Sequence, residues 1–355
     1  MRPSTNLDVL RAQAVCAVFV SHIAHTLGGP GYAGDSFFDA IGRFGVILFF
    51  LHTSLVLMLS LDRTASEPAF AARFYLRRAF RIYPLSILAI TISFALHLPP
   101  NAWSRLQSYH IGFPQLISNL LLIQNITQHP PVLGVLWSLP LEVQMYAVLP
   151  FLFLLVQSER WRMRLLACLG VAVFSAWLVW SLTGKLNIFA FIPCFLAGVM
   201  AYKRAGAKPA LPAWIWIVLI PALTLSVAAM PFYERHFLEP ISLPMEWAVV
   251  WTLGFTWPRF REVTWKPLLR AAAQVAKYSY GIYLAHTYAL YICFVQYRGS
   301  RAIGVLLATV ITAALAVAAY HLVERPFIAA GKRLAALVGR KVDPLMADTG
   351  GAESS

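Results

Sequence analysis

Apolar runs long enough to cross a bilayer recur from one end of this 355-residue chain to the other. A spanning helix needs about 20 apolar residues. Windows of that kind are read near 9–28, 41–61, 82–98, 141–157, 163–182, 187–202, 212–230, 240–257, 276–296 and 302–323. In lipid every backbone N–H and C=O must find a partner within the protein, which makes helices the solution for runs of this length. The sequence therefore predicts an all-α fold, a polytopic membrane helix bundle of about ten transmembrane helices. Composition agrees: 12% of residues are charged and 59% hydrophobic, against about a quarter and a half in a soluble domain. The first window is expected to stay attached instead of acting as a cleaved signal. Cys16, Cys168, Cys194 and Cys293 all fall in apolar windows, where they read as small hydrophobes and not as a disulfide or zinc framework.

The net charge of +14 is explained by its distribution. An even number of spans puts both termini on one side. Arg2, Arg63, Arg73, Arg77, Arg78, Arg81, the 160–164 and 203–208 clusters, the 259–277 cluster and Arg325 to Lys341 all fall on that side. Only Arg43, Arg105, Lys185, Arg235, Arg298 and Arg301 fall opposite. The positive-inside rule then makes both termini cytoplasmic. Basic loops beside a membrane set topology and meet anionic headgroups, so the charge points to membrane lipid and no nucleic acid. Residues 99–139 carry prolines and one short apolar piece, and are expected to form an external loop with a re-entrant or interfacial helix. The domain reading is a membrane domain over 1–331 and a basic, then disordered, cytoplasmic tail over 332–355.

Ionisable groups inside spans are costly and mark candidate sites. In the first window Arg11 and His22 are eleven residues apart, close to three helical turns, so they share a face at different depths. A snorkelling arginine and a histidine hydrogen-bonded within the bundle would show the same spacing. Arg78 and Arg81 lie on one face at the entrance of the third window and are able to fork a phosphate; topology alone would also place them there. Glu142 enters the fourth window at a depth near that of His22. It is able to pair with the imidazole and fix its tautomer, or to serve only as a helix-terminal charge. Ser279, Tyr283 and His286 form a polar strip in the ninth window, expected to line an interior cavity. The histidines His22, His25, His52 and His286 show no ligand spacing, so no metal is expected.

Arg11 with His22, Gly45-Val46-Ile47-Leu48-Phe49-Phe50, Arg78-Ala79-Phe80-Arg81-Ile82-Tyr83-Pro84, Trp137-Ser138-Leu139 with Glu142 and Tyr146, and Ser279-Tyr280-Gly281-Ile282-Tyr283-Leu284 with His286 resemble, in that order, the acyltransferase-3 family of membrane O-acyltransferases. The resemblance covers nearly all of residues 5–330. It implies an O-acetyltransferase of the bacterial inner membrane that moves an acyl group from cytoplasmic acyl-CoA, most commonly acetyl-CoA, to a hydroxyl of an envelope carbohydrate such as lipopolysaccharide, or of a lipid-linked saccharide. The family's essential histidine and arginine map to His22 and Arg11, and its Arg-x-x-Arg motif to Arg78 and Arg81. On this reading His22 and Glu142 are catalytic, and Arg11, Arg78 and Arg81 hold the donor. Trp137, Ser138, Tyr146, Ser279, Tyr283, His286 and His52 line the substrate path. One departure is Leu51-His52-Thr53-Ser54, where the family is commonly Ser-Gly-Phe-like; His52 is expected to shape acceptor choice. Some relatives carry a fused extracytoplasmic esterase-like domain, so this chain is expected to act alone or to hand on to an accessory periplasmic partner. A transporter or flippase would use the same buried charges, but its usual internal repeat and broken helix pairs are not read here.

Overall fold

The computed structural model describes residues 4–28, 36–102, 110–183, 188–237, 242–296 and 299–338. They form the helices α1 (Thr5–Gly28), α2 (Ser36–Thr64), α3 (Phe70–Ala95), α4 (Phe113–Leu120), α5 (Leu139–Val156), α6 (Trp161–Thr183), α7 (Ile188–Arg204), α8 (Ala213–Phe237), α9 (Ser242–Thr256), α10 (Lys266–Tyr291), α11 (Arg301–Ala319) and α12 (Arg325–Leu337). Single π-helical stretches follow α10 (Ile292–Gln296) and join α11 to α12 (Tyr320–Glu324). Among the described residues there is no named strand. Seven of the helical segments are long and apolar enough to cross a membrane: those of α1, α2, α3, α5, α6 and α8, and the continuous run Arg301–Leu337. The helices α7 and α9 are shorter, at 17 and 15 residues, and α10 carries a polar face. Four of the six charges expected opposite the termini, Arg105, Lys185, Arg235 and Arg298, and the tail beyond Val338 lie outside the residues whose side chains are described.

Long-range hydrogen bonds fix how the helices alternate. Tyr202 at the end of α7 donates to Asp62 at the end of α2 (2.8 Å), and Trp216 at the start of α8 donates to the Asn6 carbonyl at the start of α1 (3.1 Å). Arg73 at the start of α3 donates to the Val338 carbonyl after α12 (2.8 Å). The N-terminal end of α1, the C-terminal end of α12 and the connections α2–α3, α7–α8 and α9–α10 therefore gather at one end of the bundle, called the terminal end below. The start of α1 is tied there by the connection before α10. Glu262 accepts from Ser4 Oγ (2.7 Å), Thr5 Oγ1 (2.7 Å) and the Asn6 amide (3.0 Å), so a carboxylate distant in sequence caps the first turn and faces the positive end of its dipole. Glu262→Ala is expected to lower the thermal midpoint of the detergent-purified protein by an amount equivalent to about 1 kcal/mol. An unchanged midpoint would show the cap to be idle.

Position α2 at the centre: 72% of its apolar window is buried, against 17% for α6, which stands at the periphery. Small residues let α2 approach its neighbours at backbone distance. A Cβ on Gly45 would sit 2.8 Å from the Ala14 carbonyl of α1, and one on Gly198 of α7 would sit 2.5 Å from the Leu51 carbonyl of α2. Phe50 of α2 stacks on Phe195 of α7 at 4.5 Å between centroids.

The stretch expected to be a loop with a short helix is built that way where it is described. At eight residues α4 rises only about 12 Å, too short to span. Its irregular partner strand of backbone is satisfied by amides. Asn119 donates to the Gln115 and Pro130 carbonyls and accepts from the Val132 amide, and Gln124 donates to the Leu136 carbonyl. A 3-10 turn, Gly134–Trp137, then delivers the chain into α5.

Candidate active site

Three arginines converge inside the bundle. Arg11 of α1 and Arg78 and Arg81 of α3 line one cavity of about 90 Å³ with His52 of α2, Glu142 and Tyr146 of α5, and Ser279, Tyr280 and Tyr283 of α10. Arg78 and Arg81 are brought to one side of α3 by their i, i+3 spacing, as the sequence predicts. Among the described residues no carboxylate lies within ion-pair distance of any of the three, and the buried Nε atoms of Arg11 and Arg78 have no hydrogen-bond partner. Glu142 lies within electrostatic reach of Arg11 and Arg78 but accepts its hydrogen bond from the Tyr146 hydroxyl one turn on. Orphaned guanidinium donors in low-dielectric surroundings are expensive. The three share one cavity, and Arg11 and Arg78 each keep an unsatisfied donor there.

His22 lies elsewhere. The pairing with Glu142 expected from the sequence is not formed; His22 Nδ1 instead meets Nε2 of His286 at 2.6 Å, with the rings stacked at 4.9 Å. The reason is position: Glu142 faces the arginine cavity, while His22 faces α10, which runs parallel to α1. The hydrogen bonds assign the protons. His286 Nδ1 lies 2.9 Å from the Ile282 carbonyl, which only accepts, so Nδ1 carries the hydrogen. In the neutral ring Nε2 then holds the lone pair, and His22 Nδ1–H must be the donor to it. This places the lone pair of His22 on Nε2. His286 thus accepts the His22 Nδ1–H bond as a neutral ring and holds the orientation of His22.

Tyr283 separates the two sites. Its hydroxyl donates to the Val135 carbonyl (2.6 Å), so Ser138 Oγ must donate to it (2.7 Å). The ring touches Phe49 on one side and His286 on the other, with centroids 6.3 Å apart in both cases. Ser279 lines the arginine cavity while donating to the Ala276 carbonyl of its own helix. His52, read from the sequence as an acceptor-side residue, sits among the arginines, 5% exposed, because α2 presents it toward Arg11. Trp137 is outside the arginine cavity and packs against Phe191 at 5.6 Å.

Two contributors are not among the site residues expected from the sequence, although Tyr280 lies within one of the motifs. Tyr280 lines the arginine cavity and donates to the Ile82 carbonyl (2.8 Å), clasping α10 to α3. Glu324, 1% exposed in the π-helical stretch, has both carboxylate oxygens without a hydrogen-bond partner and lies within electrostatic reach of Arg81 and Arg11. A carboxylate directly before Arg325-Pro326 at the end of an apolar window was the available signal. Among the described residues no three metal-ligating side chains gather.

The family model described as an acyltransferase domain, acyltransferase 3, matches residues 4–321 and so takes in every residue of both clusters except Glu324. The chain belongs to the acyltransferase 3 family. It is 28% identical over 222 residues to nodulation protein 10 of Rhizobium leguminosarum bv. viciae, a match covering 55% of this chain and 59% of that protein. It is 26% identical over 359 residues to a protein of Komagataeibacter xylinus named as the putative membrane-bound transacylase BcsY, covering 90% of this chain and 82% of that one. No solved structure matches the chain. As an acyltransferase 3 protein it is a multi-span membrane acyltransferase, and the five motifs fall on α1, α2, α3, the turn into α5, and α10.

Proposed function

We propose that this acyltransferase carries an acyl group, in the first instance acetyl, from cytoplasmic acyl-CoA to a hydroxyl of an envelope carbohydrate or lipid-linked glycan on the far side of the bacterial inner membrane. In this reading ten helices span, both termini are cytoplasmic and the terminal end faces the cytoplasm; the basic connections gathered there support it. The observation that carries the proposal is the cluster of Arg11, Arg78 and Arg81, with no carboxylate at ion-pair distance among the described residues, at one depth and an oriented His22–His286 pair at another. A thioester bearing phosphates at one end and a reactive carbonyl at the other meets both requirements.

The chemistry follows from the tautomer. His22 Nε2 removes the proton from the acceptor hydroxyl as its oxygen attacks the thioester carbonyl, and His286 Nε2 keeps its hydrogen bond to Nδ1–H as charge develops on the His22 ring. Collapse of the tetrahedral intermediate breaks the C–S bond, and the proton on His22 Nε2 passes to the departing thiolate. Nothing is oxidised or reduced. The cavity of about 90 Å³ is smaller than a typical ligand pocket of roughly 300 Å³ or more. The pantetheine arm therefore requires Tyr283 to leave Val135 and Ser138, opening the way from the arginines to His22.

Transfer of labelled acetyl from acetyl-CoA by inside-out vesicles carrying the protein tests the reading. Label appearing in an envelope glycan or lipid, dependent on the protein, is expected. If neither labelling nor acetyl-CoA hydrolysis exceeds that of empty vesicles, the donor assignment is wrong. Export of an unmodified glycan would favour a flippase.

A further inference from the structure

Beside the arginine cavity lies a much larger space that the acyl-transfer chemistry does not use. It measures about 1190 Å³ and runs between α5, α6 and α7, above the roughly 300–1,000 Å³ of a small-molecule pocket. Along α5 it extends from Leu141 to Leu152, a rise of about 16 Å. That is close to half of a hydrocarbon core about 30 Å thick. The walls are apolar, and Val148 and Val171 at its mouth are 43% and 66% exposed, so the groove opens sideways toward lipid. Its polar side chains cluster at the end remote from the termini: Arg43, Asn125, Gln128, Gln144 and Thr183.

We infer that this groove binds a saccharide-headed lipid, its hydrocarbon chain lying along α5–α7 and its sugar at the Asn125–Gln144 end. The charge pattern selects the head. Arg43 directs both Nε (2.8 Å) and Nη2 (2.7 Å) at Oε1 of the fully buried Glu246, so its charge is already balanced and the end is not a phosphate receptor. The rest of the polar end is uncharged, three amides and the Thr183 hydroxyl. Asn125 and Gln144 donate reciprocally to each other's carbonyl oxygens (3.1 and 2.9 Å), and Gln128 donates to the Asn125 carbonyl (2.8 Å), which fixes a neutral donor and acceptor surface suited to hydroxyls. The groove is also joined to the reaction site. Leu141, Gln144 and Met145 line it while Glu142 and Tyr146 line the arginine cavity, so two faces of one helix serve the two spaces. Trp137 lines the groove, and the next residue, Ser138, bonds Tyr283 at the approach to His286.

That this lipid is the acyl acceptor rests on the proposed acyl transfer; that it binds does not. The test is photolabelling of the protein in proteoliposomes by hexadecyl glucoside carrying a diazirine in its chain, run beside acetyl transfer to hexadecyl and methyl glucosides. Label is expected on α5 around Val148–Leu152. It should be lost in Val148→Trp, competed by dodecyl maltoside and not by phosphatidylglycerol. A second groove variant, Val171→Trp, guards against misfolding of the first, since both side chains face outward. Label spread equally over the outer face of α11, label indifferent to both tryptophans, or label displaced equally by phosphatidylglycerol would overturn the site. Specific labelling without acetylation of either glucoside would retain the groove and retire the acyl-transfer reading. Acetylation with equal preference for the methyl and hexadecyl compounds, and no specific label, would do the reverse.

Discussion

His22→Ala is expected to reduce acyl transfer by roughly 10²–10⁴-fold, the range of a positioned general base, while leaving CoA binding unchanged because His22 is outside the arginine cavity. Loss of CoA binding together with activity would indicate collapse of the bundle instead. His286 supplies the sharper test. It acts only by holding His22 Nδ1–H, so His286→Leu should lower kcat with little change in KM for either substrate. His286→Gln should restore part of the loss, since a side-chain carbonyl oxygen is able to accept the same hydrogen bond. The double variant His22→Ala/His286→Leu should be no worse than His22→Ala, because groups that act as one unit are not additive. A double variant markedly slower than either single one would assign His286 a contact of its own with substrate. Equal loss in the Leu and Gln variants would reduce it to packing.

The sequence made the helices legible because apolar windows of spanning length have few alternatives in lipid; each of the ten windows falls on a helix. Seven of the segments meet the requirements of a span by length and composition. The others are short or polar because α7 and α9 pack beside α2 in protein and α10 carries the Ser279–Tyr283–His286 strip. Helical spacing was equally good at saying which polar residues share a face within one helix, as for Arg78 with Arg81. It has no access to rotation between helices. From the sequence Glu142 and His22 are expected at similar depths, yet Glu142 lines the arginine cavity, while α10 brings His286 to His22. Glu324 was hidden for a related reason: it closes an apolar window, where a carboxylate reads as a boundary, and the π-helical stretch buries it.

Removing the arginines should produce opposite effects on the free and the donor-bound protein. A charge-assisted bond to phosphate is worth about 1.5–3 kcal/mol, so Arg78→Ala and Arg81→Ala should each weaken CoA roughly 10- to 150-fold. Arg78→Lys should fall between, since it keeps the charge and loses the planar fork. Because the Nε donors of Arg11 and Arg78 are buried, added salt should rescue none of this and weaken the wild type only slightly. Without CoA the expected sign reverses. Three guanidiniums share a cavity with no carboxylate at ion-pair distance among the described residues, and orphan Nε donors remain on Arg11 and Arg78. Deleting one relieves like-charge repulsion and a desolvation cost. Thermal unfolding of the free Arg78→Ala protein should therefore occur at or above the wild-type midpoint, while the upward shift that CoA gives the wild type should largely vanish. A structural arginine would behave otherwise: its loss would lower the midpoint with and without CoA alike. That outcome, or a CoA shift of wild-type size in the variant, would remove the arginines from donor binding and with them the main support for a coenzyme A thioester as substrate.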